Sequence, residues 1–220
     1  MKVELIDSAG GDLSIVNSAR VSFNKEVTEL EDNDRRLVAY LASHHHDTPF
    51  RHNFIQLRCE VPLFLARQLM KHQAGLTWNE ESRRYIDYPP AFYVPKAWRE
   101  RPDKSIKQGS GKRHKYSPAW HRRVQDHVAE AVELYEWMLE DGVAPEMARM
   151  VLPQNMMVNF IWSGNLLAFH HVYALRSGEG AQVEAQVFAG ELKKAIEPAF
   201  PIGWSALEAR CKTSTESNIG

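Results

Sequence analysis

The stretch 55–63 constrains the fold most, because Ile55, Leu57, Cys59, Val61 and Leu63 alternate with Gln56, Arg58 and Glu60. A side-chain period of two puts the apolar set on one face, which predicts a half-buried β-strand that needs a core to cover it. Pro62 has no backbone N–H to donate, so the strand lies at an edge or ends there. The residues after it, 64–73, read as helix. Upstream, the pattern predicts short strands near 3–6 and 18–23 and a helix over 32–43. Asp32 or Asn33 would cap that helix, and Leu37, Val38 and Leu41 form its apolar stripe.

Downstream, Val124, Val128, Val132, Tyr135 and Leu139 recur at helical spacing over 118–140, and Gly142 is a natural stop. Another helix starts near Pro145. The β-branched and aromatic residues of 156–162 favour a strand. Ser163 would cap a helix through Leu166, Phe169 and Tyr173, and a last long helix covers 181–196, ending before Pro198. The stretch 99–117 is polar, basic and rich in breakers, so it should be an exposed loop. Neither an internal repeat nor a clean linker divides the chain. The expectation is α+β, helices packed on a small sheet, in one domain over residues 1–220.

Composition sets limits on function. Hydrophobic residues make up 44% of the 220, enough for a sizeable core. A net charge of −1 argues against a general nucleic-acid binder, although local clusters can still hold a phosphate. Two cysteines, Cys59 and Cys211, are too few for a disulfide framework or a zinc site. Cys59 falls on the apolar face of the strand and Cys211 in a polar tail. The opening residues include Glu4 and Asp7 and do not read as a signal peptide, and no apolar run reaches the ~20 residues of a membrane span. A cytoplasmic protein is expected.

The segment 67–85 is densest in chemistry. Arg83 and Arg84 offer forked donors for phosphate, Gln68 and Asn79 offer amides for a base edge, and Trp78 and Tyr85 offer stacking faces. The plain alternative is a helix end followed by a solvated loop whose charges pair locally. Arg149 and Arg176 lie among apolar neighbours, so each needs an anionic ligand or a carboxylate such as Glu146, Glu179 or Glu184. The run His44, His45, His46, Asp47, with His52 and the pair His170, His171, invites a metal reading and with it a metal-dependent nucleotide phosphohydrolase. Ligands must converge, however, and neighbours on a strand point to opposite faces. A non-catalytic nucleotide-binding module is a third reading.

Five phrases in order decide among these. Ala19-Arg20-Val21-Ser22-Phe23 comes first, then His46-Asp47-Thr48-Pro49-Phe50-Arg51-His52. Lys71-His72-Gln73 is followed, after eight intervening residues, by Ser82 within Asn79-Glu80-Glu81-Ser82-Arg83-Arg84-Tyr85. Ala148-Arg149 to Leu152-Pro153 and Leu175-Arg176 to Ala181-Gln182 close the series. Together they resemble the flavin-dependent thymidylate synthase family, in which Arg-His-Arg usually stands at 71–73. The resemblance implies a thymidylate synthase-complementing protein-like fold on a mostly antiparallel sheet, and reductive methylation of dUMP to dTMP. FAD would be the cofactor, with NADPH as reductant and 5,10-methylenetetrahydrofolate as carbon donor. It implies a homotetramer with shared active sites; from charge and the lack of a long apolar run, no nucleic-acid or membrane partner is expected.

Residue by residue, the resemblance assigns dUMP to Gln68, Leu69, Met70, Lys71, Glu80, Glu81, Ser82, Arg83, Arg84, Arg149 and Arg176. It assigns FAD to Ser22, Thr48, Lys71, His72, Gln73, Glu80, Asn165, Leu166, Leu167 and His171, and makes His46 a folate-related candidate. No metal is implied. Arg176 would polarise the uracil ring towards C5 in place of a cysteine nucleophile. Lys71 and Gln73 replace two arginines, exchanging one fork for a point charge and losing another charge. Gly180 stands where a histidine is usual. The basic loop is either a lid for folate or phosphate, or simply solvated.

Overall fold

The computed structural model describes residues 1–86, 88–103 and 108–216, the last five by their backbone alone. The predicted strand is β2 (Phe54–Pro62), antiparallel to β1 (Lys2–Ala9) on one side. On the other side it pairs with β4 (Met157–Gly164), which in turn pairs with β3 (Leu76–Glu80), giving the order β1-β2-β4-β3. Pro62 is the last residue of a central strand, so its missing N–H ends the ladder and marks no edge. Helices α1 (Gly11–Arg20), α2 (Asp32–Ser43), α3 (Leu63–Leu69) and α4 (Ser117–Glu140) accompany the sheet. They are followed by α5 (Pro145–Ala148), α6 (Leu166–Ser177), α7 (Val183–Ile196) and α8 (Pro201–Glu216). The class is α+β, and the sheet is wholly antiparallel.

One face of the sheet makes the core. Ile55, Leu57, Cys59 and Val61 have no solvent exposure, and Trp162 of β4 meets Phe169 of α6 and Phe188 of α7 with ring centroids 5.3 and 6.3 Å apart. Trp78 stacks on Phe160 at 3.4 Å, which fastens β3 to the same core. Gly164 lets β4 end tightly against β3, since a Cβ there would stand 2.5 Å from the Gly75 carbonyl oxygen. No helix among the described residues is long and apolar enough to cross a membrane.

Several expectations need correction. Residues 18–23 end α1 and form a 3₁₀ turn, not a strand. Asp12, Ile15 and Val16 are the buried face of that helix, and Asp12 accepts from the backbone N–H groups of Ile202 and Gly203 at 2.8 and 2.7 Å. Glu31 caps α2, because Asp34 reaches back to its N–H at 2.9 Å. Asn165, not Ser163, caps α6, accepting from the Ala168 N–H at 3.0 Å while Ser163 stays paired in β4. Helix α3 stops at Leu69, short of the expected 73, and a turn through Gly75 (φ +74°) leads into β3, which neither reading of 67–85 had foreseen. Cys211 belongs to α8 and not to a tail; Trp204 and Leu207 bury that helix. Of the loop 99–117, residues 104–107 lie outside the described residues, and Arg99 is half-buried rather than exposed.

Candidate active site

The segment after β3 turns back along the sheet, and the Glu81 N–H still donates to Asn159 of β4 at 2.9 Å. Glu81 is held from two sides, by Tyr88 at 2.5 Å and Asn159 at 3.1 Å. Arg83 is 6% exposed; it donates to the Tyr88 carbonyl and covers the Tyr88 ring at 4.8 Å, so it builds the wall rather than pointing at a ligand. Arg84 is different. It lies over Tyr85 at 4.9 Å and points Nε at the Ser82 hydroxyl, 3.3 Å away. Arg149, from the turn after α5, reaches the same hydroxyl at 3.4 Å. Two guanidinium groups thus converge on Ser82, and neither has an ion-pair partner among the described residues. Like charges this close repel unless an anion joins them, so the arrangement is built for a phosphate or carboxylate. A cavity of about 260 Å³ opens beside them, lined by Glu80, Glu81, Arg83, Arg149, Met150 and Met156 among others. Burial, then the neighbouring Glu81, pushes the Glu80 carboxyl above its usual range.

A second group forms where α3 ends beside the last turn of α6. Arg176 donates from Nε to His72 Nε2 at 3.1 Å. Burial, then the charges of Arg176 and His171, lowers the His72 pKa and keeps it a neutral acceptor. The terminal nitrogens of Arg176 have no partner among the described residues, which leaves the fork open. Gln68 of α3 donates to Gln182 at 2.7 Å, whereas Leu69 is fully buried and offers no side chain to a ligand. Met70, Lys71 and Gln73 are exposed at the end of α3.

The third group surrounds the 3₁₀ turn Thr48–Arg51. Ser22, His46 and Thr48 line a cavity of about 530 Å³ with His45, Asp47 and His52. His171 of α6 is near enough for Asp47 and Arg210 to shift it, although burial is the largest cause and its pKa is lowered overall. Asn165 is occupied as the α6 cap, and Leu166 and Leu167 are buried beneath it. His44 stacks on Tyr40 at 4.0 Å, and Asp47 is taken by Arg210 at 2.6 Å. Among the described residues no three His, Cys, Asp or Glu side chains converge as metal ligands.

Glu184, one of three carboxylates that could have neutralised Arg149 or Arg176, pairs with Arg99 at 2.8 Å instead. Tyr88, Asn159 and Tyr93 are site-building residues that sequence alone did not single out. Tyr88 and Tyr93 sit in irregular chain where no period flags them. Cys59 is buried in β2, and burial pushes its thiol far up.

Residues 4–202 match the family model described as thymidylate synthase complementing protein. The chain belongs to the flavin-dependent thymidylate synthase family. It is 35% identical over 209 residues to the flavin-dependent thymidylate synthase of Thermotoga neapolitana, covering 93% of this chain and 89% of that one. It is 35% identical to the Thermus thermophilus enzyme of the same name, covering 94% and 75%. Among solved structures it is similar to the UMP/dUMP methylase PolB of Streptomyces cacaoi, bound with 5-Br dUMP, at TM-score 0.84 and 30% identity over 94% of both chains. Set against this family's usual Arg-His-Arg, Lys71 and Gln73 are departures, while the central His72 keeps its place beside Arg176.

Proposed function

We propose that the chain is a flavin-dependent thymidylate synthase that methylates dUMP to dTMP, with FAD as cofactor. The observation that carries this reading is the convergence on Ser82 of Arg84 and Arg149, two cations without an ion-pair partner among the described residues, with Arg149 lining a cavity of about 260 Å³. A nucleotide 5′-phosphate matches that charge and the forked donors. Glu80 and Glu81 line the same cavity, and Glu81 is fixed by Tyr88 and Asn159.

Arg176 supplies the electrophilic help. With Nε committed to His72, its two terminal nitrogens form a planar pair of donors for the uracil carbonyl and N3, drawing electron density so that C5 becomes nucleophilic. Cys59 cannot take the alternative route of adding to C6, since it is buried with a strongly raised pKa.

The cavity at Ser22, His46 and Thr48 suits FAD: its lining mixes three hydroxyls with three histidine rings, and Arg51 lies close by. The chemistry that FAD supplies when bound is hydride transfer, with NADPH as reductant and 5,10-methylenetetrahydrofolate bringing the carbon. His46 is the candidate for the folate side. Within one chain the cavity beside Arg149 and the cavity at Ser22 and Thr48 share no lining residue, which fits sites shared between subunits of a homotetramer. The reading treats residues 1–220 as one domain working in the cytoplasm.

The test is direct. Protein supplied with FAD, NADPH, methylenetetrahydrofolate and dUMP should show flavin absorbance and form dTMP; UMP belongs beside dUMP in the assay because the Streptomyces neighbour is named for both. A folded protein that binds no FAD and forms no methylated nucleotide overturns the proposal.

A further inference from the structure

Glu184, the second residue of α7, is 4% exposed and sits at the centre of a polar chain that ends in Gln68. A terminal nitrogen of Arg99 donates to both its oxygens at 2.9 and 2.8 Å, and the Tyr93 hydroxyl approaches at 3.3 Å. A carboxylate only accepts, so Gln182 must turn its NH₂ towards Glu184, which it does at 2.9 Å. The Gln182 carbonyl is then turned the other way and accepts from Gln68 at 2.7 Å. The amide of Gln68 has no choice of direction left: its NH₂ faces Gln182, with one N–H and the carbonyl remaining for a ligand. Phe64, Tyr93 and Trp98 line a cavity of about 370 Å³ beside this chain, and their apolar surroundings strengthen each bond in it.

We propose that Arg99 and Glu184 are positioning residues for the nucleotide, setting through Gln182 which way round the Gln68 amide faces the substrate. The inference rests on the reading of Gln68 as a dUMP contact. It also gives the root of the basic loop a task, since Arg99 fixes the polarity of the whole chain. Burial pushes the Glu184 carboxyl up, but the hydrogen bonds from Arg99 and Gln182 outweigh that and hold it below its usual range.

Glu184→Gln is nearly isosteric and reverses the logic. Arg99 keeps the new carbonyl, so the new NH₂ faces Gln182, whose amide turns over and meets Gln68 donor to donor. Gln68 must flip as well. Exchanging the two side chains, Glu184→Gln with Gln182→Glu, restores a carboxylate that accepts from Gln68. The experiment measures KM for dUMP, kcat, flavin absorbance and melting temperature for wild type, the single variant and the double variant. The single variant should raise KM on the order of 10-fold, while flavin binding and melting temperature stay near wild type. The double variant should bring KM back to within about 3-fold of wild type. An unmoved KM in Glu184→Gln overturns the proposal, as does parallel loss of stability, flavin and turnover that the double variant fails to restore. If wild type itself turns over no dUMP, the proposal falls with the functional reading, and the wild-type trace identifies that cause.

Discussion

His170 should make the fold acid-sensitive by an amount that follows from its burial. It has no solvent exposure, its ring lies 5.2 Å from Trp204 and 5.8 Å from Tyr173, and neither ring nitrogen has a hydrogen-bond partner among the described residues. Burial, then the charge of Arg210, lowers its pKa from 6.5 to about 4. Between those values the unfolded chain holds the proton and the folded one refuses it, so stability falls as pH falls. At about 1.4 kcal/mol per pKa unit, the gap from 6.5 to about 4 is worth roughly 3 kcal/mol, lost in full below pH 4. His170→Phe keeps the aromatic contacts and cannot titrate. Denaturant unfolding of both proteins at one concentration, from about pH 7 down to about pH 4.5, should show the variant losing about 2–3 kcal/mol less than wild type. Other titrating groups are common to both and cancel. Parallel stability curves would refute the argument, since they would mean that His170 titrates normally or is already charged.

Replacing Cys59 with Ala and Cys211 with Ser should leave dTMP formation largely intact; the Cys59 change should cost about 1–2 kcal/mol in unfolding because it opens space in a fully buried strand face. Loss of turnover with the fold and nucleotide binding unchanged would instead indicate a thiol nucleophile. Gly164→Ala would set a Cβ 2.5 Å from both the Gly75 oxygen and a Leu76 methyl, so it should destabilise by about 1–3 kcal/mol, read as a lower melting temperature.

Strong periodicity is what made parts of this fold legible. The alternation of 55–63, the stripe of α2 and the long α4 were visible because each buries one face against the core. β3 was missed although Leu76 and Trp78 do alternate with Thr77 and Asn79: five residues on an edge, crowded with ligand-type side chains, read as loop. α8 was missed because its buried positions are few, Pro198 breaks the chain just before it and Pro201 is its first residue. At the site, Ser82, Arg84, Arg149 and Arg176 were legible as residue types in familiar phrases. The Arg99–Glu184 pair was not, because its partners lie 85 residues apart and no local pattern announces a contact of that range. Nor could the sequence say that His72, matched to the flavin, would accept from Arg176.

Arg176→Ala, followed through the two half-reactions on one purified sample, tests the proposed chemistry most directly. Reduction of bound flavin by NADPH needs no activated uracil and should stay within a few-fold of wild type, whereas dTMP formation should fall on the order of 10²–10³. Arg176→Lys keeps the charge but lacks both the fork and the Nε donor to His72, so it should also be impaired in methylation. If flavin reduction, dTMP formation and melting temperature all fall together, Arg176 is a structural residue and the account of how the uracil ring is activated is wrong.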